Sequence, residues 1–318
     1  MRRFAMRPLG KTGLEVSPLG IGGGSGISSA DLLYAFDHGI NYFFFSSDMH
    51  HCNYQKSAEA LRTLCGQGSA LRDKVVLATV SYLNSPEKLP GILVDQFSEL
   101  GIDYIDVFHW GWVTDEVDLL PLLKTAHQLK EETPFVREMR KFQLVPQRQQ
   151  EQAAAINETL LKSGLVRAIG TSFHSRTVAR RWMRNVDVMM LRYNIVRRDI
   201  EEAIVPFLYG EKERDPGIVV FNVAHEGPFS FAIPPKGYPS NQPVPSIPDC
   251  YRFALSHPWV DLVLTGPTSR KEIDLALAAI EQGPLDMSEY QALRHYGDLY
   301  RQHIAGQSRQ PEQTAAAP

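Results

Sequence analysis

The sequence predicts an α/β protein of the (β/α)8 TIM barrel class, on three observations. Eight short apolar, β-branched runs recur along the chain, amphipathic segments lie between them, and 318 residues suffice for one such barrel. The runs are Leu19–Gly22, Ile40–Phe45, Val75–Val80, Tyr104–Trp110, Val166–Gly170, Val188–Tyr193, Ile218–Val223 and Val260–Leu264. Each has strand length, and eight repeats of strand and helix favour closure into a barrel over an open sheet. The helical segments read as Ala58–Leu64, Leu89–Leu100, Leu119–Leu129, Ala153–Ser163, Val178–Arg184, Ile200–Leu208 and Lys271–Glu281.

Two stretches break this rhythm. Lys130–Gln152 is a charged, Gln-rich insertion after the fourth run, and Gly227–Pro248 carries seven prolines after the seventh. Segments after strands fall on the catalytic face of a barrel, so both read as long loops there, either lids or passive surface excursions. The domain prediction is a single barrel over residues 1–306 with a disordered tail over 307–318.

Composition excludes several functions. A formal charge of −3 gives no reason to expect nucleic acid or an acidic membrane surface as partner, which leaves a small molecule or a protein, with a small-molecule substrate as the expectation. No apolar run is long enough to span a bilayer, and the basic start runs into Pro8-Leu-Gly rather than an apolar core, so a soluble cytoplasmic protein is expected. Cys52, Cys65 and Cys250 are odd in number and widely spaced, which fits neither a disulfide framework nor an iron–sulfur site.

Taken in order, several segments resemble one family. Arg7-Pro-Leu-Gly-Lys-Thr-Gly-Leu-Glu-Val-Ser-Pro-Leu-Gly-Ile-Gly, Gly39-Ile-Asn-Tyr-Phe, Leu100-Gly-Ile-Asp-Tyr-Ile-Asp-Val, Gly164-Leu-Val-Arg-Ala-Ile-Gly-Thr-Ser, Arg192-Tyr-Asn and Ala254-Leu-Ser-His-Pro-Trp-Val-Asp-Leu-Val-Leu-Thr-Gly-Pro-Thr-Ser are similar to the aldo-keto reductases. The resemblance implies an N-terminal β-hairpin ahead of the barrel and NADPH-dependent carbonyl reduction by an Asp, Tyr, Lys and His tetrad. At the matching positions stand Phe44, Met49, Val80 and Gly111, none of which transfers a proton. The resemblance also implies a nicotinamide seat at Ser172, Phe173 and Met190, of which only Ser172 keeps a hydrogen-bonding group, and it places Asn194 beside that seat. The stacking aromatic is replaced by Val223, and the adenine-recognising pair by Leu275 and Ala276. Gly266-Pro-Thr-Ser-Arg-Lys remains as a helix start whose Thr268, Ser269, Arg270 and Lys271 could seat a phosphate, or simply cap the helix.

Other titratable groups converge on the same end. Side chains two apart on a strand share a facing, so His109 points inward one layer below Gly111, His174 lines up with Ser172, and His225 with Val223. Asp48, His50, His51 and Cys52 follow the second run and Glu226 the seventh. Acid–base catalysis by Asp48, His50, His109, His225 and Glu226 is the first reading. A metal held by His50, His109, His174, His225 and a carboxylate, or a thiolate at Cys52, are the others. His50 and His51 cannot both enter an extended pocket wall, Cys52 is expected to be a small buried residue, and His174 to brace a loop. Trp110 and Trp112 are expected to divide, one lining the pocket and one packing on a helix; Phe44, Met49 and Trp112 are the expected pocket residues, with Phe44 its apolar floor.

Three functions follow from these residues. The first is non-redox acid–base chemistry, of lyase, isomerase or cyclase type, on an apolar or aromatic small molecule. The second is an NADPH-dependent carbonyl or imine reductase with His50 or His109 as proton donor. The third is a ligand-sensing or protein-binding module without catalysis. The cofactor is left open between none, NADPH and a metal.

Overall fold

A computed structural model of the chain describes residues 4–131, 133, 136–137, 164–208, 216–226, 229–235 and 237–307. The predicted helix Ala153–Ser163, most of the insertion Lys130–Gln152 and the tail beyond residue 307 lie outside them. Eight parallel strands close on themselves: β1 (Leu19–Gly22), β2 (Tyr42–Ser46), β3 (Val76–Ser81), β4 (Ile105–Val113), β5 (Val166–Phe173), β6 (Val188–Arg192), β7 (Gly217–Phe221) and β8 (Leu262–Thr265). Register runs in sequence order, and β8 returns to β1 through Val263 opposite Leu19. All eight predicted runs are strands. Their near-continuous burial on both faces explains why they read as apolar blocks and not as alternating patterns.

The helices outside the barrel bury one stripe each. Leu89–Leu100 turns Leu89, Ile92, Leu93, Phe97 and Leu100 inward and stops at Gly101, whose φ of 62° suits glycine. Among the described residues, three helices of nine residues or more escape the periodicity reading, Ser29–Asp37, Ile247–Leu255 and Met287–Gln307, as does the single turn His51–Tyr54. The first two begin at capping serines: Ser28 Oγ accepts from the Asp31 N–H, and Ser246 and Asp249 form a reciprocal capping box. The N-terminal hairpin pairs Arg7–Pro8 with Glu15–Val16 and presses Leu9 and Gly10 against the start of β7. In the proline-rich segment, Phe229–Ser230 pairs with His225–Glu226 just before it, and Tyr296 and Tyr300 of the last helix donate to the carbonyls of Phe231 and Ser230. No helix among the described residues is long and apolar enough to cross a membrane.

One device recurs at the N-terminal ends of the strands. Asp106 on β4 accepts the Leu77 N–H of β3 at 2.9 Å, and Asp187 before β6 accepts the Ile169 N–H of β5 at 2.7 Å. Asp261 before β8 accepts the Ile218 N–H of β7 at 2.8 Å, and Asn41 before β2 accepts the Ser17 N–H before β1 at 2.8 Å. Each acceptor satisfies a backbone N–H on the preceding strand or, for Ser17, just ahead of it, which pins the register between the two. Asp106 is fully buried and also takes Arg72 Nη1 at 2.8 Å and Arg167 Nη1 at 2.9 Å.

Asp106→Ala removes the carboxylate that these two arginines share, and with it the counter-charge of Arg72, the largely buried one of the two. Urea denaturation is expected to show a loss of about 3–5 kcal/mol, the cost of leaving a buried cation unpaired. A loss within experimental error would show that the clamp carries no stability.

Candidate functional site

The C-terminal ends of the strands surround a cleft of about 700 Å³. Its floor is Phe44 from β2, Met190 from β6 and Val223 beyond β7, with Ser172 from β5 the polar group among them. Phe44, Met49 and Trp112, expected to line a pocket, all line this one.

Two tyrosines absent from the sequence reading enter the cleft. Tyr54 ends the short helix His51–Tyr54, Tyr82 follows β3, and their hydroxyls lie 3.3 Å apart. Missing side chains make room for both rings. A Cβ on Gly111 would come within 2.5 Å of the Tyr82 ring, and one on Gly23 within 2.8 Å of the Tyr54 ring. Burial pushes both phenols above their ordinary value, so each is a neutral hydrogen-bond donor through the physiological range. Asp48 does not line the cleft. Its carboxylate accepts from Ser46 Oγ at 2.8 Å, the Met49 N–H at 2.5 Å and the Tyr82 N–H at 3.0 Å, tying the loop after β2 to the loop after β3. It positions Tyr82 from behind.

His50 lines the cleft with a left-handed backbone, φ 60°, one helical turn before Tyr54. Its neighbour His51 turns outward, with Nε2 2.7 Å from Glu99, so only one of the two histidines enters. Cys52 is exposed and outside the cleft lining, which corrects the expectation of a small buried residue: the helical turn from His51 carries it to the surface. His109 is sealed in the barrel interior beneath Phe44, with ring centroids 5.6 Å apart, and does not reach the cleft. Its Nε2 meets the Tyr42 hydroxyl at 3.3 Å, and burial pushes its pKa down to about 3.

The opposite wall is aromatic. The register of β4 against β5 shifts between Trp110 and Val113, and this bulge separates two tryptophans that a regular strand would point the same way. Trp110 is buried, its indole N–H donating to the Leu122 carbonyl at 3.0 Å in the helix Leu119–His127. Trp112, at φ 55°, is 50% exposed at the cleft mouth. His174 stands between Trp112 and Phe221, with centroids 6.3 and 5.8 Å away. Desolvation, then Arg192 and Arg197, push its pKa down to about 4. His174 therefore lines the cleft, and the bracing expected of it comes from its backbone N–H, which donates to Val113. Arg192, another residue the sequence reading passed over, lines the cleft at the end of β6; its parity with Met190 was the available signal. His225 lines the rim, and Glu226 follows it in the same short strand.

The far end of the cleft lies at the start of the helix Arg270–Glu281. Thr268 and Glu272 line it, whereas Ser269, Arg270 and Lys271 do not. The Thr268 N–H and hydroxyl donate to Glu272 Oε2 at 2.5 and 2.9 Å, so the chain's own carboxylate takes these donors. Arg270 pairs with Asp31 at 2.9 Å. Asn194 is fully buried outside the lining; its Nδ2 donates to the Asn222 carbonyl and its Oδ1 accepts the Val196 and Arg197 N–H groups. Among the described residues no three His, Cys, Asp or Glu side chains gather as a metal site.

Two outcomes test this geometry. Gly111→Ala should displace the Tyr82 ring and cost about 1–3 kcal/mol by overpacking, read by thermal unfolding. His109 has a folded pKa of about 3 against an ordinary 6.5, so the unfolded state takes up a proton first as pH falls. It should contribute no slope above pH 6.5 and a loss of about 1.4 kcal/mol per unit between there and about 3. His109→Leu should flatten the stability–pH curve in that window; an unchanged curve would contradict a neutral His109.

A family model described as the aldo/keto reductase family matches residues 28–235. Among solved structures the chain is similar to aldo-keto reductase AKR11C1 of Bacillus halodurans. Its holo form has a TM-score of 0.62 at 19% identity and its apo form 0.61 at 20%, each covering 92% of this chain and 96% of that one. A Pseudomonas aeruginosa protein assigned to the aldo-keto reductases aligns with a TM-score of 0.57 at 18% identity, over 87% of this chain and 96% of its own. At these identities the likeness speaks for the fold alone. No curated protein sequence matches this chain. The matched span joins the segments of β2 to β7 in one model, and the chain belongs to the aldo/keto reductase family.

Proposed function

We propose that the cleft performs non-redox acid–base chemistry on an apolar or aromatic small molecule, of the kind that moves a proton next to a carbonyl. The observation that carries this reading is the Tyr54–Tyr82 hydroxyl pair opening on a cleft with His50 one helical turn away. A carbonyl oxygen set against the neutral phenols would accept a hydrogen bond that strengthens as negative charge develops. His50 would take the proton from the adjacent carbon, leaving an enolate on the tyrosine pair, and return it to another carbon. Phe44, Met190 and Val223 keep water from the reacting carbon.

Membership of the family is equally consistent with the second reading, NADPH-dependent carbonyl reduction with His50 as donor. The residues of the cleft fit that cofactor poorly. Met190 offers the carboxamide no hydrogen bond, Glu272 presents a carboxylate where an anionic nucleotide would need donors, and Arg270 is committed to Asp31. No step is therefore routed through a nicotinamide.

Incubating the protein with phenylacetone in D2O and following loss of the benzylic proton signal by NMR should show exchange above the buffer rate. His50→Ala should lower that rate by about 100-fold or more, the usual weight of a general base, and Tyr82→Phe by a similar factor. Exchange at the buffer rate across a panel of aromatic ketones would sink the reading. Saturable quenching of tryptophan fluorescence by NADPH below millimolar concentration, with turnover of the same ketones, would establish the reductase in its place.

A further inference from the structure

The floor of the cleft holds a hydroxyl with nothing to bond. Ser172 lies among Phe44, Met190 and Val223, and Met190 stands directly across the β5–β6 ladder from it. Ser172 is 5% exposed, and its Oγ has no hydrogen-bond partner among the described residues. A serine hydroxyl both donates and accepts, and a buried one without a partner forfeits the hydrogen bonds it made in water. Thr79 and Thr171 also lack partners, but their hydroxyls are sealed in the protein and both residues lie outside the cleft lining. Ser172 lines the cleft, so a bound molecule can complete it.

The surroundings limit what that molecule carries at this point. A carboxylate or an ammonium would be desolvated against Phe44, Met190 and Val223, with one neutral contact to offset the loss. A carboxamide brings an oxygen and two N–H groups, more than one hydroxyl satisfies, and Met190 and Phe173 beside it add no hydrogen bond. A keto oxygen takes the serine proton but leaves the lone pairs of Oγ bare. A hydroxyl is the smallest group that donates and accepts as Ser172 does.

We propose that Ser172 is a specificity-determining residue that takes a hydroxyl group borne on the apolar body of the substrate, which makes the substrate a hydroxylated aromatic ketone. The tyrosine pair enters from the loops after β2 and β3, and Ser172 from β5. A molecule that meets both lays its ring on the floor between them, with the carbonyl at the phenols and the hydroxyl at Ser172. Selectivity of this kind is steep, because an analogue without the hydroxyl leaves a buried polar group unpaired. The proposal names the substrate class of the acid–base reading and rests on that reading for the carbonyl contact, though not for the hydroxyl.

Calorimetric titration of the full chain with 3- and 4-hydroxyphenylacetone, and with the 3- and 4-methyl compounds in which a methyl group stands for the hydroxyl, reads the contact directly. Wild type should bind one hydroxy isomer about tenfold or more tighter than its methyl counterpart, the span expected of a hydrogen bond to a group otherwise left bare. Ser172→Ala should bring that ratio to about one or below. Ser172→Cys keeps the shape of the side chain but hydrogen-bonds weakly, so its ratio should fall between the two. Thermal unfolding checks that each variant is folded, and the cysteine variant carries the comparison should the alanine variant not be. Equal wild-type affinities for hydroxy and methyl compounds, a ratio that survives either substitution undiminished, or no binding of any probe would each overturn the proposal. Because these are binding ratios, their failure leaves proton exchange on phenylacetone untouched, and failure of that exchange leaves the hydroxyl preference standing.

Discussion

The barrel's register is fixed at the end opposite the cleft, and the geometry of the cleft follows from it. In a closed parallel sheet a one-residue slip on any strand turns its inward set outward, so register decides which side chains meet at the mouth. Asp106, Asp187, Asp261 and Asn41 each reach back from one strand to a backbone N–H on, or just ahead of, the one before. The pinned pairs are β3–β4, β5–β6, β7–β8 and the approach to β1–β2, every second interface around the barrel. At the mouth the polar ties are of another kind, between loops: Asp48 joins the loop after β2 to the one after β3, and Asn194 the segment after β6 to the one after β7.

Around the mouth, the site is built by removing side chains as much as by placing them. Gly111 has no side chain, and the Tyr82 ring lies over it; Gly23 and Gly24 are bare, and the Tyr54 ring packs on them. The two hydroxyls meet because three Cβ positions are empty. Backbone strain falls in the same place. Of the four non-glycine residues with positive φ among the described residues, His50, Trp112 and Asn222 line the cleft, and such conformations persist only where the surroundings enforce them.

Much of the fold was legible in the sequence, because buried parallel strands are apolar on both faces and announce themselves as runs. Of the longer helices that escaped notice, Ser29–Asp37 and Met287–Gln307 carry weak patterns, whereas Ile247–Leu255 is amphipathic but opens inside the proline-rich segment; the start of Ser29–Asp37 was marked by Ser28 and that of Ile247–Leu255 by Ser246 with Asp249. The site was legible in part. Parity along the strands placed Ser172, His174 and His225 at the mouth and His109 below it, while the depth of that layer under Phe44 was not readable. Tyr54 and Tyr82 were missed for a physical reason: they lie on the loops after β2 and β3, where no periodicity fixes facing. The same reason misplaced Cys52. Trp112 reached the pocket through a bulge, which no alternation rule predicts.

The two sides of the cleft differ in kind, and that gives it a direction. The tyrosine pair comes from the loops after β2 and β3, while Trp112, His174 and Phe221 stand together at the ends of β4, β5 and β7 across the barrel mouth. Glu272 at the helix start makes one end a place where donors are already spent on the protein. A molecule with its carbonyl at the hydroxyls would therefore lie with its apolar body over Phe44 and Met190. Orientation of this kind is what acid–base chemistry requires, because a base and a hydrogen-bond donor act only on the atoms they are set against. A cleft alike on all sides would hold the same molecule in several poses. The unequal sides select among them before any proton moves.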